Sequence, residues 1–179
     1  MSHPVNDNVS IRLCGSPERG LGLFASRRIS QGLKILSEEP FLVDESRQDM
    51  VGGIAQEFPA LPLHVQALFT RLYAGPSDLV PVLNAGPDRD QRSVAIPRLQ
   101  RIVELNSVEG AGTGCFLSPA VSTVNHDCIP NAFVYYNYES GLVALHALRV
   151  IEPNEEVTVD YLQDSIYLDS DERQDRLVD

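Results

Sequence analysis

The chain has 179 residues, the size of one domain, and 43% of them are hydrophobic, which excludes a globally disordered polypeptide. Lys plus Arg number 14 against 25 Asp plus Glu, a formal charge of −11, which disfavours a nucleic-acid backbone as ligand and favours basic partners. Three cysteines without a Cys-x-x-Cys pair exclude a disulfide framework and a zinc site closed by cysteine alone. With no leader-like N-terminus and no apolar run long enough to span a bilayer, the expectation is an intracellular protein, nuclear or cytoplasmic, away from membranes.

In chain order, Val9 to Cys14 alternates as a strand does, and Leu33–Leu36 and Phe41–Val43 read as two further short strands. Between them Arg19-Gly-Leu-Gly-Leu-Phe-Ala25 reads as a glycine-bearing turn feeding an apolar segment. Residues 44–105 carry helical spacing: Leu63, Ala67, Leu68 and Leu72 after Pro62, then Leu99, Ile102, Val103 and Leu105 after Pro97. Gly75–Arg92, rich in Gly, Pro, Asp and Asn, reads as an exposed loop. Phe133–Asn137 and Leu142–Ala147 flank Glu139-Ser-Gly141 as a hairpin would, Glu156–Asp160 is one more strand, and Ser170–Leu177 is a short capped helix. Short strands around an inserted helical block predict a β-rich α+β domain.

Three runs carry chemistry. Asn125-His-Asp-Cys-Ile-Pro-Asn131 concentrates polar and ligating side chains, but neighbours on an extended chain oppose, so at most two of His126, Asp127 and Cys128 converge, short of the three or four ligands zinc takes. A rigid polar corner, with Asn and Asp bonded to local backbone and Pro130 fixing a turn, accounts for it better. Gly20-Leu-Gly-Leu-Phe-Ala25 lets backbone approach a ligand, yet it lacks the long following helix of a dinucleotide site. Glu155-Glu-Val-Thr-Val-Asp-Tyr161 ends a strand on a tyrosine, by itself an ordinary packing position.

In this order the three runs resemble those of the SET-domain family of protein lysine methyltransferases, over residues 9–176 and closest to the branch of the SMYD proteins and short fungal SET proteins. Asn106-Ser107, Gly114, Ser118-Pro-Ala-Val-Ser122 and Leu145-His-Ala-Leu-Arg-Val-Ile151 fit that branch. The resemblance implies one domain over 1–179: short curved β-sheets around a C-terminal pseudoknot, a helical insertion at 44–105 and a helical tail at 162–179. It implies S-adenosylmethionine as cofactor, its methionine part on the backbone of Arg19, Gly20, Leu21 and Gly22, its amino end on Asn125, its adenine on the His126 backbone, with Asn106 also at the cofactor. Tyr161 matches the tyrosine of the methyl-transfer channel, and Asn131 the residue that holds the knot. Of Tyr135, Tyr136 and Tyr138, sheet packing is the expected role. The implied activity is methylation of lysine on a basic protein or peptide such as a histone tail, by a monomer, with an oligomer left open.

The sequence departs from the family in three ways. No cysteine cluster interrupts residues 44–105, so the MYND insertion is absent. No Cys-x-Cys-x-x-Cys module follows Leu177, so Cys128 lacks zinc partners and no metal is expected. Asp127 replaces the usual serine and Ser118 a more usual aromatic. Two alternatives stay open: a non-catalytic module binding cofactor or peptide, and a fold repurposed for small-molecule biosynthesis with the Gly75–Arg92 loop as a new wall.

Overall fold

A computed structural model gives the fold and describes residues 3–15, 19–44, 50–70, 72, 96–109, 115–162 and 165–178; the predicted loop at Gly75–Arg92 and Gly114 lie outside them. The first sheet begins with β1 (His3–Pro4) and β2 (Val9–Leu13), paired antiparallel. Gly20, at φ +61°, takes the left-handed conformation that turns the chain into β3 (Leu21–Ala25). There the predicted apolar segment is a full strand, antiparallel to β2 with Ile11 opposite Leu23. The strand that closes this sheet comes from the far end of the chain. β11 (Glu156–Val159) lies between β3, antiparallel, and β8 (Asn125–His126), parallel, giving the order β1-β2-β3-β11-β8. Glu152-Pro-Asn-Glu155 aims it: Pro153 sits at the second turn position, Asn154 takes φ 70°, and the Glu155 N–H donates to the Glu152 carbonyl at 3.0 Å, a type II turn.

The predicted hairpin forms as β9 (Ala132–Asn137) and β10 (Leu142–Ala147), in register from Leu142–Asn137 to Ala147–Ala132. Its loop is specified locally: Asn137 Oδ1 accepts the N–H groups of Glu139 and Ser140, and Gly141 at φ +69° closes onto the Asn137 carbonyl at 2.8 Å. β4 (Lys34–Glu38) adds to β10, completing a β4-β10-β9 sheet. Tyr136 stacks on Phe116 of the third sheet's Cys115–Leu117 strand, Tyr135 lies tilted against His146, and Tyr138 meets Tyr136 edge-on, so each of the three tyrosines has a ring partner in the packing around the hairpin.

The predicted helical block contains α1 (Met50–Glu57), α2 (Leu63–Phe69) and α3 (Ile96–Asn106). They pack on a third sheet, β5 (Leu42–Asp44), β7 (Cys115–Leu117) and β6 (Val108–Glu109), in the order β5-β7-β6. Two apolar cores result. One joins the first two sheets through Val9, Leu23, Ile35, Leu145, Ile151 and Val157; the other joins Ile54, Phe58, Phe69, Ile102 and Leu117. Successive side chains of β7 face opposite ways, so Phe116 enters the first core and Leu117 the second. The C-terminal helix α4 (Ser170–Val178) starts on a capping box: Asp169 Oδ1 accepts the N–H groups of Asp171 and Glu172, and Glu172 Oε2 accepts the Asp169 N–H.

One carboxylate carries an interior join. Glu38, at the end of β4, accepts the Ala120 N–H at 2.9 Å and the Val121 N–H at 2.8 Å, the first donors of a 3₁₀ turn at Val121–Thr123 that leads into β8. Burial raises its carboxyl, and those two donors pull the other way. Glu38→Ala would leave both N–H groups without an acceptor, an expected loss of about 2–4 kcal/mol, whereas Glu38→Gln keeps an acceptor oxygen and should lose less than half of that. Urea unfolding of the two variants measures the difference; equal losses would sink the capping role.

Candidate active site

The parallel pairing of β8 and β11 places Thr158 beside Asn125 and Val159 beside His126. It thereby brings the second and third sequence runs together, and β3 brings the first to the same place. Asn125 is the hub. Its Nδ2 donates to Glu156 Oε1 at 2.7 Å, to the Leu21 carbonyl at 3.0 Å, and to the Cys14 sulfur at 3.3 Å. Arg19 reaches the same carboxylate, Nη2 to Glu156 Oε2 at 3.2 Å. Burial, then the Glu156 carboxylate, push the Cys14 thiol up to about 11, so it stays a thiol at neutral pH.

The second glycine of the first run owes its identity to this cluster. A Cβ on Gly22 would fall 2.8 Å from Cys14 Sγ, 2.9 Å from Glu156 Oε1 and 3.1 Å from Asn125 Nδ2. Three polar side chains converge over bare backbone, with one cation, one anion and one amide within reach.

Tyr161 follows β11 and folds back across this floor. Its hydroxyl donates to the Val124 carbonyl at 2.7 Å, and its backbone N–H donates to His126 Nδ1 at 3.1 Å. The residue is 51% exposed, while the hydroxyl's bond to Val124 is partly buried. Desolvation there, with the Glu156 charge second, pushes the phenol up to about 12. His126 Nε2 lies 3.1 Å from Cys128 Sγ, and the imidazole and Tyr161 rings are 5.4 Å apart. Burial holds His126 below the ordinary imidazole value, against the pull of Asp160 and Asp127.

Asn131 joins the corner to the last strand from the interior. Its Nδ2 donates to the Glu156 carbonyl at 2.7 Å, and its Oδ1 accepts the Thr158 N–H at 2.9 Å. The predicted polar corner is therefore a two-residue strand plus a side chain that imitates a strand neighbour, both paired with β11. Pairing with a partner some 30 residues away leaves no trace in local sequence.

Of the residues singled out from sequence, Arg19, Leu21, Gly22 and Asn125 converge directly, and His126 joins them through Tyr161. Gly20 supplies the turn. Asn106 is buried at the end of α3, its amide donating to the Ile102 carbonyl at 2.7 Å. Cys14 and Glu156 enter the site without having been assigned a role. Glu156 had a signal, lying five residues before Tyr161 in the same run; Cys14, at the end of an ordinary strand, had none. Among the described residues no group of three or more His, Cys, Asp or Glu is arranged to hold a metal, and no helix is long and apolar enough to cross a membrane.

A family model described as SET domain matches residues 20–162. The chain is 28% identical over 147 residues to the histone-lysine N-methyltransferase set5 of Schizosaccharomyces pombe, covering 82% of this chain and 40% of that protein. It is 39% identical over 66 residues to the N-lysine methyltransferase SMYD2 of Gallus gallus, covering 37% of this chain and 14% of that protein. The chain thus spans less than half the length of the curated relatives it matches. A solved SET domain, that of LSMT bound to lysine and AdoHcy, superposes with a TM-score of 0.48 at 14% identity, over 89% of this chain and 50% of that one.

Proposed function

Because the chain belongs to the SET-domain family, we propose that it transfers a methyl group from S-adenosylmethionine to lysine side chains of a basic protein such as a histone. The observation that carries this reading is the cluster over Gly22, with Tyr161 tied to the segment that forms it. Arg19, Asn125 and Glu156 gather over a glycine with no room for a Cβ, and one cation, one anion and one amide side by side suit an amino-acid group bearing both charges. The backbone from Arg19 to Gly22 and the Asn125 amide would hold that end of the cofactor, the His126 backbone the adenine, and Asn106 would add a further contact. When bound, the cofactor supplies the methyl group as an electrophile.

The chain's own residues supply position and environment. A lysine near pKa 10.4 arrives as an ammonium and must lose a proton before it can attack. Tyr161 does not take that proton. A phenol pushed up to about 12 stays protonated at neutral pH, and its hydrogen is already committed to the Val124 carbonyl. Its oxygen keeps lone pairs that accept an N–H of the incoming amine and orient the nitrogen. Desolvation of the ammonium beside the half-exposed Tyr161 ring lowers its pKa, and the proton leaves to water. Rate enhancement comes from alignment, not covalent catalysis. The net charge of −11 favours encounter with Lys/Arg-rich segments, and the reduced thiols of Cys14, Cys115 and Cys128 suit a reducing intracellular compartment, nuclear or cytoplasmic.

Isothermal titration with S-adenosylmethionine tests the cofactor half. Asn125→Ala should weaken binding about 10–100-fold, the cost of a hydrogen bond to a charged group. Gly22→Ala, whose Cβ would push aside the Cys14, Glu156 and Asn125 side chains that meet over this glycine, should also weaken it. No heat of binding to the unaltered protein at millimolar cofactor would overturn the reading.

A further inference from the structure

We propose that the His126 side chain is a positioning residue: its ring holds the backbone of Tyr161 and so fixes where the Tyr161 hydroxyl stands during methyl transfer. The catalytic half of this inference rests on the function proposed above. The geometric half stands on its own.

The strand pairing that organises β11 ends at Val159, whose carbonyl accepts the Asp127 N–H at 3.0 Å. Beyond it the backbone needs other partners. Asp160 serves the residues on its C-terminal side, accepting the Leu162 N–H at 3.0 Å, the Ser165 N–H at 2.9 Å and the Ser165 hydroxyl at 2.6 Å. The Tyr161 N–H is the donor that Asp160 does not take, and His126 Nδ1 accepts it at 3.1 Å. With the hydroxyl bonded to the Val124 carbonyl, Tyr161 is tethered at both ends to one short segment, Val124–His126.

The ring itself is fixed from its other edge. Because Nδ1 accepts, the imidazole proton is on Nε2, which faces the Cys128 sulfur at 3.1 Å and donates to it. The Tyr161 amide thereby selects the tautomer, and Cys128, able to accept as well as to donate, accommodates it. A cationic ring would set an N–H against an N–H at the Tyr161 end. Asp160 Oδ1, 3.7 Å from Nδ1, and the nearby Asp127 favour that cation. Burial outweighs them, which keeps the ring neutral as the arrangement needs. Both ring nitrogens are engaged, so His126 acts through Tyr161 and not on substrate.

Three substitutions separate this from a merely structural role. Asn offers an amide oxygen near the place of Nδ1, Gln one near the place of Nε2, and Ala neither. With labelled S-adenosylmethionine and lysine-rich peptides as probes, His126→Ala should lower kcat about 100-fold, the size of effect that misplacement by an ångström produces, with the cofactor KM moved less than about threefold. His126→Asn should recover at least about tenfold of that loss, and His126→Gln should not. In parallel, nuclear magnetic resonance of the unaltered protein should show the Nε2–H tautomer and a Tyr161 amide protected from exchange. An unprotected amide, the opposite tautomer, or an Asn variant no better than Gln would overturn the inference. A protected amide in a protein that methylates neither histones nor lysine peptides would overturn the methyl-transfer reading instead, together with the catalytic half of this one, while the tie between His126 and Tyr161 would stand.

Discussion

Tyr161→Phe is expected to lower methyl transfer by about 100-fold or more, with cofactor affinity within about twofold of the unaltered protein. The substitution removes one oxygen and leaves the ring and its contact with His126. The Val124 carbonyl loses its 2.7 Å donor, and an incoming amine loses its acceptor. Because the phenol is pushed up to about 12 from the usual 10, the alkaline behaviour is fixed as well. A proton bound more tightly in the folded state gives a stabilisation that is fully present below pH 10 and lost as pH rises through about 12. The rate should therefore rise as the lysine deprotonates and show no decline from phenolate formation until the folded value is approached. Single-turnover transfer to a lysine peptide, from about pH 7 to about pH 11, measures both. A Phe variant within threefold of the unaltered rate would remove Tyr161 from the mechanism.

Asn131→Ala should be among the most damaging single changes to stability, at about 3 kcal/mol, which for a chain of this size lowers the melting temperature by roughly 6–12 °C. Asn131 is 1% exposed, and its amide serves the Glu156 carbonyl and the Thr158 N–H on one strand. Truncation leaves both of those backbone groups buried without their partner. Asn131→Asp discriminates between lost hydrogen bonding and lost volume. It keeps an acceptor for Thr158 but sets an oxygen against the Glu156 carbonyl and the Glu155 carboxylate, which now lies 3.2 Å from Nδ2. It should destabilise at least as much as Ala. Thermal unfolding of the two variants decides it; an Asp variant near the original stability would mean that the donor side of Asn131 contributes little.

The parts of this fold legible in sequence are those whose cause is local. The β9–β10 hairpin could be read because Asn137 and Gly141 specify its loop within a few residues of the alternation they connect. The last helix could be read because Asp169 and Glu172 cap each other across one turn. The placement of β11 between β3 and β8 had no such cue. The fit of Glu156 opposite Phe24 and Thr158 opposite Asn125 depends on chain segments far apart in sequence. The site divides the same way. Two glycines announced that something approaches bare backbone at Gly22. That the visitors are Cys14, Glu156 and Asn125 emerges only when three distant segments meet. Family resemblance bridged part of this gap by marking Asn125 and Tyr161 as neighbours in function, but it left Cys14 and Glu38 without a role, and His126 as a structural hydrogen bonder whose partner, the Tyr161 N–H, it did not name.

The central position of β11 also orders events during synthesis. A chain emerges from the ribosome N-terminus first, at about 5–20 residues per second, and can pair only what has already appeared. Until Val159 is exposed, β3 has no neighbour on its inner side and β8 has none at all. The Asn125 amide, the Asn131 side chain and the Val124 carbonyl wait for Glu156, Thr158 and Tyr161. A nascent chain halted short of that strand therefore has two cores in the making and no chemistry. β11 and the segment that follows it supply closure of the sheet, the Glu156 carboxylate and Tyr161 in one step, so that folding and assembly of the site coincide.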